Sequence, residues 1–330
     1  MEKVITELRT QTIITQRFLS IDIYKGIMIA FAIFINATSY FQYTPPWNKG
    51  SELYGLTYVD LFGPFFLFAL TITFEKSFSR RLEIYGKFNT YKHFIRRFSI
   101  YILIGFIITL NIESTGIMLK WGTLQMLGMT GLFLLLIIKV KVYLRVLIAL
   151  ILLTVYQFII LQINELEIAT IPHGGVIGLL SWFSFANFAS IVNELFIKNK
   201  NMTQFGSLGI FFLILGSLTS LFLNISRQLV NMSFIFISLG ISILICLVLF
   251  YMFEELSVKW LWLKKERFLS ILGKNTLFLY ILQSFFKIIP YFLLPYNTIP
   301  IIFFSFGILM VFLNYVLAYL LDRFQIYLVF

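Results

Sequence analysis

Charge is scarce in this 330-residue chain. Asp, Glu, Lys and Arg make up 12% of it, about half the share found in an ordinary soluble domain, so it cannot cover a water-facing surface with charge. Its one cysteine, Cys246, lies in an apolar run, which excludes an internal disulfide framework and leaves the redox compartment open. Only two histidines exist, His93 and His173. Clusters of His, Cys and carboxylates at ligand spacing are missing, which argues against a metal, as are the glycine-rich motifs that cradle nucleotide phosphates. Apolar residues are abundant instead: 59% of the chain is hydrophobic, 18% is aromatic with 39 Phe, and the mean hydropathy is +0.90. Disorder and a fibrous chain are excluded too. The composition describes an all-α polytopic membrane helix bundle, one domain over residues 1–330, with residues 1–20 as a cytoplasmic segment ahead of the first span.

Crossing the hydrocarbon takes about 20 apolar residues. Ten windows qualify: Ile21–Phe41, Thr57–Phe74, Phe94–Leu110, Gly122–Ile138, Tyr143–Ile163, Val176–Phe196, Leu208–Leu223, Ser233–Phe253, Phe268–Ile289 and Ile299–Leu321. Each should be a helix, because lipid offers no partner to an unpaired backbone group. With the N-terminus in the cytoplasm, twenty Lys and Arg fall in inner segments, against Lys49, Lys120 and Arg227 in outer loops. That asymmetry places both termini inside. It also accounts for the net charge of +11 without nucleic acid. The first span is too long for a cleavable signal core and should remain as an anchor. The longest loops fall at 75–93 and 254–267 inside and 42–56 outside.

Polar residues within or beside these windows are candidates for chemistry, each with a plainer alternative. Asp22 and Lys25 share a helix face and form either a functional pair or an ion pair that sets helix depth. Asp60, one turn before Pro64, suits a pocket mouth or a helix cap. Lys92-His93-Phe94-Ile95-Arg96-Arg97 is a cationic cluster for lipid headgroups or nucleotide phosphates, or for orientation alone. Gln125 has no reason to face lipid. Ser181, Ser184 and Asn187 line a wet pocket or lock neighbouring helices. Lys274 and Asn275, followed by Tyr280 and Gln283, lie inside the ninth window, where ionisable groups are functional by default. His173 is the one imidazole expected on the outer face, as a base or as a plain loop residue.

In order along the chain, Arg17…Ser20-Ile21-Asp22…Lys25-Gly26 with Asn36, Tyr54-Gly55-Leu56-Thr57…Asp60…Pro64-Phe65-Phe66, Gly122…Leu124-Gln125…Gly128 and Gly273-Lys274-Asn275-Thr276…Tyr280 resemble the transmembrane acyltransferases typified by heparan-alpha-glucosaminide N-acetyltransferase. The resemblance implies transfer of an acetyl or other acyl group from cytosolic acyl-CoA to an amine or hydroxyl of an extracytoplasmic sugar or glycolipid, in the cell membrane. No metal is implied, and a homodimer is compatible with it. The family's outer-loop catalytic His, just before its Gly-Leu-Thr segment, has no counterpart, and a gapless match puts Gly50 there. Asn36 keeps the family's asparagine, Lys25 stands for the usual Arg, and Met126 for an Arg common after the Gln. On this reading His173, Asn36 and Asp60 are the catalytic candidates. Arg17, Lys25, Arg96, Arg97, Gln125, Lys274 and Asn275 are the candidates for holding acyl-CoA.

The absent family His leaves three courses. His173 serves as the base, the reaction uses positioning with Asp60 or Glu52, or the chain has become a binding protein or a small-molecule or lipid transporter that uses the same polar spans as a pathway.

Overall fold

Helices occupy all ten apolar windows in the computed structural model, which describes residues 18–113, 116–163, 165–199 and 201–327. Residues 1–17 of the segment expected in the cytoplasm, Arg17 among them, lie outside the described residues. In chain order the helices are α1 (Leu19–Thr38), α2 (Phe62–Thr109), α3 (Thr123–Ile137), α4 (Val142–Gln162), α5 (Glu165–Ala169), α6 (Leu179–Asn199), α7 (Met202–Ser220), α8 (Met232–Phe250), α9 (Phe268–Lys274), α10 (Thr276–Phe286), α11 (Ile289–Leu293) and α12 (Pro300–Arg323). The exception to the all-helical expectation is a small antiparallel hairpin, β1 (Leu110–Glu113) with β2 (Gly116–Leu119). Six stretches are long and apolar enough to cross a membrane: α1, the stretch Tyr58–Thr109, α4, α7, α8 with its following turn, and α12. Their outer surface fits lipid rather than water, with Ile301 70%, Ile107 68% and Phe158 63% exposed.

Residues 75–93, expected as a loop, are helical. The second and third windows are two arms of one element, α2, which turns back on itself at Gly86 (φ 74°, ψ 175°), a conformation that costs a side chain dearly. Aromatic rings equidistant from that glycine meet across the arms, with Phe78 and Phe94 centroids 5.7 Å apart and Phe74 and Phe98 5.8 Å apart. The segment between the windows is rich in Glu, Lys and Arg, all good helix formers. Its polarity marks where the apolar stretch stops and does not end the helix.

The ninth window differs from expectation in the other direction. It is broken at Asn275 (φ −110°, ψ 21°) into α9 and α10. Here α9 crosses α1 backbone against backbone. A Cβ on Gly26 would lie 1.9 Å from the Leu269 carbonyl oxygen, and one on Gly273 would lie 1.8 Å from that of Asp22. The crossing accepts no side chain at either position, and it brings Lys25 and Lys274 to one place.

The connections gather at two ends of the bundle. At one, Gly55 N–H donates to the Ile225 carbonyl (2.8 Å) and Gln42 N–H to that of Tyr296 (3.0 Å), while Asn48 Nδ2 donates to Thr38 Oγ1 (2.8 Å). At the other, Ser20 donates to Glu254 (3.1 Å) and Lys274 pairs with Asp322. The first is called the loop end below and the second the basic end.

Between α2, α4 and α6 lies a polar seam. Ser184 Oγ donates to the Ala149 carbonyl (2.7 Å), and Asn187 Nδ2 to that of Arg145 (2.7 Å). Arg145 itself is buried, pairs with Glu75 (3.1 Å) and Glu194, and donates to Ser190 Oγ (2.9 Å). Asn193 Nδ2 completes the set with a bond to Glu75 (2.9 Å). Ser181 Oγ donates to the Val230 carbonyl (2.6 Å). The α6 polar stripe therefore locks helices together.

Candidate functional site

A cavity of about 450 Å³ opens between the two arms of α2, α3 and the broken pair α9–α10, within the size range of small-molecule sites. Its basic-end wall carries Lys25, Arg80, Arg97 and Lys274. Thr73, Ser77, Tyr101, Thr276 and Tyr280 also line it, among Phe66, Ala69, Leu70, Leu124 and Leu127. The lining reflects how each element is built. Ala69, Leu70, Thr73, Ser77 and Arg80 recur at three- and four-residue steps, one face of the first arm of α2. The fold at Gly86 then sets Arg97 of the second arm near Arg80.

The four cations are not equivalent. Lys25 pairs with Asp22 (2.9 Å) and Lys274 with Asp322 (2.9 Å). Neither Arg80 nor Arg97 has a carboxylate within ion-pair distance among the described residues; Arg97 Nε donates to Tyr101 Oη (3.0 Å). Two guanidinium groups with uncommitted charge thus face the cavity, and guanidinium is the side chain best matched to phosphate oxygens.

Toward the loop end the cavity approaches His173. Thr123, next to the cavity-lining Leu124, has its Oγ1 3.0 Å from His173 Nε2. His173 is tightly held. Its carbonyl accepts from Trp182 Nε1 (3.1 Å), and its ring sits over Gly63, one turn above the cavity-lining Phe66. Its backbone is left-handed (φ 59°). Such backbone costs about 1–3 kcal/mol per residue and concentrates where a side chain must be aimed. Burial, reinforced by the charge of Arg227, lowers the imidazole from the ordinary 6.5 to about 4, so His173 is neutral at physiological pH.

The other expected site residues fall in several places. Asp60 caps the turn before α2: its carboxylate accepts from Thr57 N–H (2.8 Å) and Ser51 N–H (3.1 Å) and pairs with Arg227 (3.1 Å). Every lone pair has an owner there. Glu52 is exposed nearby. Asn36 borders a separate small space with Gln283, Lys287 and Asn314, apart from His173. Gln125, fully buried, ties α3 to the second arm of α2 through Thr109 Oγ1 (2.9 Å) and the Lys120 carbonyl (3.2 Å). Asn275 is buried at the helix break with both side-chain polar atoms unpartnered. Arg96 is exposed and does not line the cavity, whereas its neighbour Arg97 does. Arg80 belongs to the site and was read only as an orienting charge. Its signal is its place on the face shared by Thr73 and Ser77, which reads only once the helix is known to continue. Among the described residues no group of His, Cys, Asp and Glu could hold a metal ion.

Scanned against protein-family models and against the curated proteins, the chain matches none.

Proposed function

We propose that the protein is a ten-span membrane acyltransferase, a relative of the heparan-alpha-glucosaminide N-acetyltransferase group. It takes an acyl group from acyl-CoA at the basic end and passes it to an amine or hydroxyl of a sugar or glycolipid presented at the loop end. The observation that carries this reading is the cavity's polarity. Two unneutralised arginines stand at one end, an apolar passage fills the middle, and a neutral, rigidly held imidazole lies beyond the other, bonded to Thr123. Coenzyme A has matching chemistry in the same order: anionic phosphates, a neutral amide arm and a thioester. Arg80 and Arg97 hold the phosphates, with Lys25 and Lys274 beside them. Thr73, Ser77, Tyr101 and Thr276 offer hydrogen bonds to the arm.

In this assignment the basic end is cytoplasmic, in accord with the excess of Lys and Arg in the segments there, and the membrane is the cell membrane. The acceptor stays on the far side, so the acyl group crosses without either substrate traversing the bilayer. His173 is the group placed to take the acceptor's proton, Asp60 keeps the turn before α2 in shape, and Asn36 has no part in the transfer.

The test is acetyl-CoA binding to the full chain in detergent, by calorimetry, with release of free coenzyme A followed in parallel. Binding that falls in Arg80→Ala and Arg97→Ala, and is unchanged in Arg96→Ala, is the expected result. A wild-type protein that binds no acetyl-CoA overturns the reading and favours a transporter using the same cavity.

A further inference from the structure

Residues 259–267, at the basic end, belong neither to the cavity lining nor to the polar seam. They follow closely on Glu255, where the spanning stretch that contains α8 stops, and they lead directly into α9. The segment is a run of tight turns. Trp260 N–H donates to the Leu256 carbonyl (2.9 Å), Leu263 N–H to that of Trp260 (3.0 Å) and Lys265 N–H to that of Trp262 (3.0 Å). Leu263 is buried and anchors the run, whereas Trp260, Leu261 and Trp262 stand out, 57%, 67% and 65% exposed. Lys259, Lys264, Lys265 and Arg267 are exposed around them. None of these four side chains has a hydrogen bond or an ion pair among the described residues. The one acid in the run is committed elsewhere: the Glu266 carboxylate accepts from Leu269 N–H (2.6 Å) and Ser270 N–H (3.1 Å), holding the start of α9.

We propose that this segment is a foot that docks on anionic lipid headgroups of the leaflet at the basic end. Position supports that occupant, because a turn so soon after a span ends lies at headgroup level. Side-chain chemistry supports it too. Three consecutive large apolar residues are costly to leave in water and mark a membrane or partner contact, and tryptophan in particular favours the bilayer interface, its ring in the acyl boundary and its N–H toward water. Charge then selects among lipids. Four cations with no carboxylate to neutralise them attract phosphate, and an anionic headgroup offers that phosphate without the compensating amine of a zwitterionic one. Lys139 and Lys141, exposed at the same end, flank the half-buried Val140 and have no such apolar triplet between them. The inference is independent of the acyl-transfer reading.

The test uses the full chain in phosphatidylcholine vesicles that contain a rising fraction of phosphatidylglycerol brominated on its acyl chains. The quenching followed is the part that Trp260→Phe/Trp262→Phe removes, and brominated phosphatidylcholine gives the baseline. The foot requires half-maximal quenching at a lower fraction of the anionic lipid than of the zwitterionic one. Lys264→Gln should shrink that preference about five-fold, the worth of one cation at the surface. Replacing all four cations by Gln should abolish it, and Lys139→Gln/Lys141→Gln should leave it unchanged. In wild type 1 M salt should also abolish it by screening, which keeps the test decisive even where the four-fold variant fails to fold. Equal quenching by the two lipids overturns the foot, as does absence of quenching at Trp260 and Trp262. So does a preference that survives salt, or an equal loss in the Lys139/Lys141 variant, which would make it a property of the whole basic end.

Discussion

Two clusters of charge flank one helix, the first arm of α2, and they differ in a way that separates structure from function. Glu75 points toward α4 and α6, where Arg145 meets both Glu75 and Glu194 and the remaining contacts come from Ser190 and Asn193. Thr73, Ser77 and Arg80 face the opposite way, into open space with Lys25, Arg97 and Lys274. In the first cluster carboxylates outnumber the cation and are bonded within the protein. In the second, cations outnumber the aspartates that touch them, and the surplus faces a void. A buried charge satisfied by its own chain is an inter-helix tie, whereas surplus charge of one sign around a cavity is a request for a ligand of the other sign.

The largest effect expected from this contrast is at Arg145. Arg145→Ala leaves two carboxylates without their cation in the buried polar seam, and breaking a buried pair in this way costs about 3–5 kcal/mol. Thermal unfolding in detergent should show a large loss of stability, with acetyl-CoA binding failing only as the fold fails. Replacing Arg145, Glu75 and Glu194 together by Met and Leu should recover most of that loss, since the stranded charges are then gone. A triple variant that is stable but no longer binds would place the triad in the site and break the comparison.

Arg80→Ala should show the reverse pattern. Unfolding is unmoved, because the guanidinium supports nothing in the absence of ligand. Acetyl-CoA affinity falls about 10- to 100-fold, the worth of a hydrogen bond to a charged group. Arg97→Ala should behave alike, with a small additional cost from the lost Tyr101 contact, and Arg96→Ala should do neither.

How much of this was legible in sequence follows from what each residue's signal depends on. The ten apolar windows and the basic bias are local properties of composition, and helices fill all ten. The arm of α2 beyond the apolar window was misread as a loop because hydropathy reports where lipid ends, not where a helix ends. That misreading hid Arg80, which shares a face with Ser77 only if the helix runs on. Lys25, Lys274 and Arg97 were legible as charges in or beside spans. Gln125, Asn36 and Asp60 were legible as unusual, but their partners are set by tertiary contacts that no spacing encodes. The Thr123–His173 bond joins positions fifty residues apart, and neither residue type at that distance announces the other.

The pH dependence sharpens the comparison at the loop end. With the folded value near 4 against an ordinary 6.5, His173 carries no charge from pH 5 to 8, so a rate profile should show no inflection near 6.5 that His173→Ala removes. Its contribution to stability follows by linkage: the unfolded chain takes up a proton below 6.5 while the folded one does not until about 4. That contribution is complete above pH 6.5 and is lost as pH falls from there toward 4. Unfolding curves of wild type and His173→Gln should therefore converge on acidification.

The smallest effect concerns the two lysines of the basic rim, and it decides whether the surplus of charge is fixed or adjustable. Asp322, at the end of α12, pairs with Lys274 and also accepts from Tyr327 Oη (2.7 Å). The pair is partly exposed, so its net worth is about 0–1 kcal/mol. An arriving phosphate competes with that carboxylate for the same ammonium. Asp322→Asn removes the competitor and leaves the fold nearly untouched, so acetyl-CoA affinity should rise by a few-fold at most. Because the gain is a Coulomb effect near solvent, it should shrink as salt shortens the screening length from about 10 Å at 0.1 M toward 3 Å at 1 M. Binding that rises and then loses the advantage in salt makes Asp322 a resident stand-in for the ligand's negative charge. Binding that does not rise means Lys274 keeps its partner when the site fills, and the two arginines alone hold the phosphates.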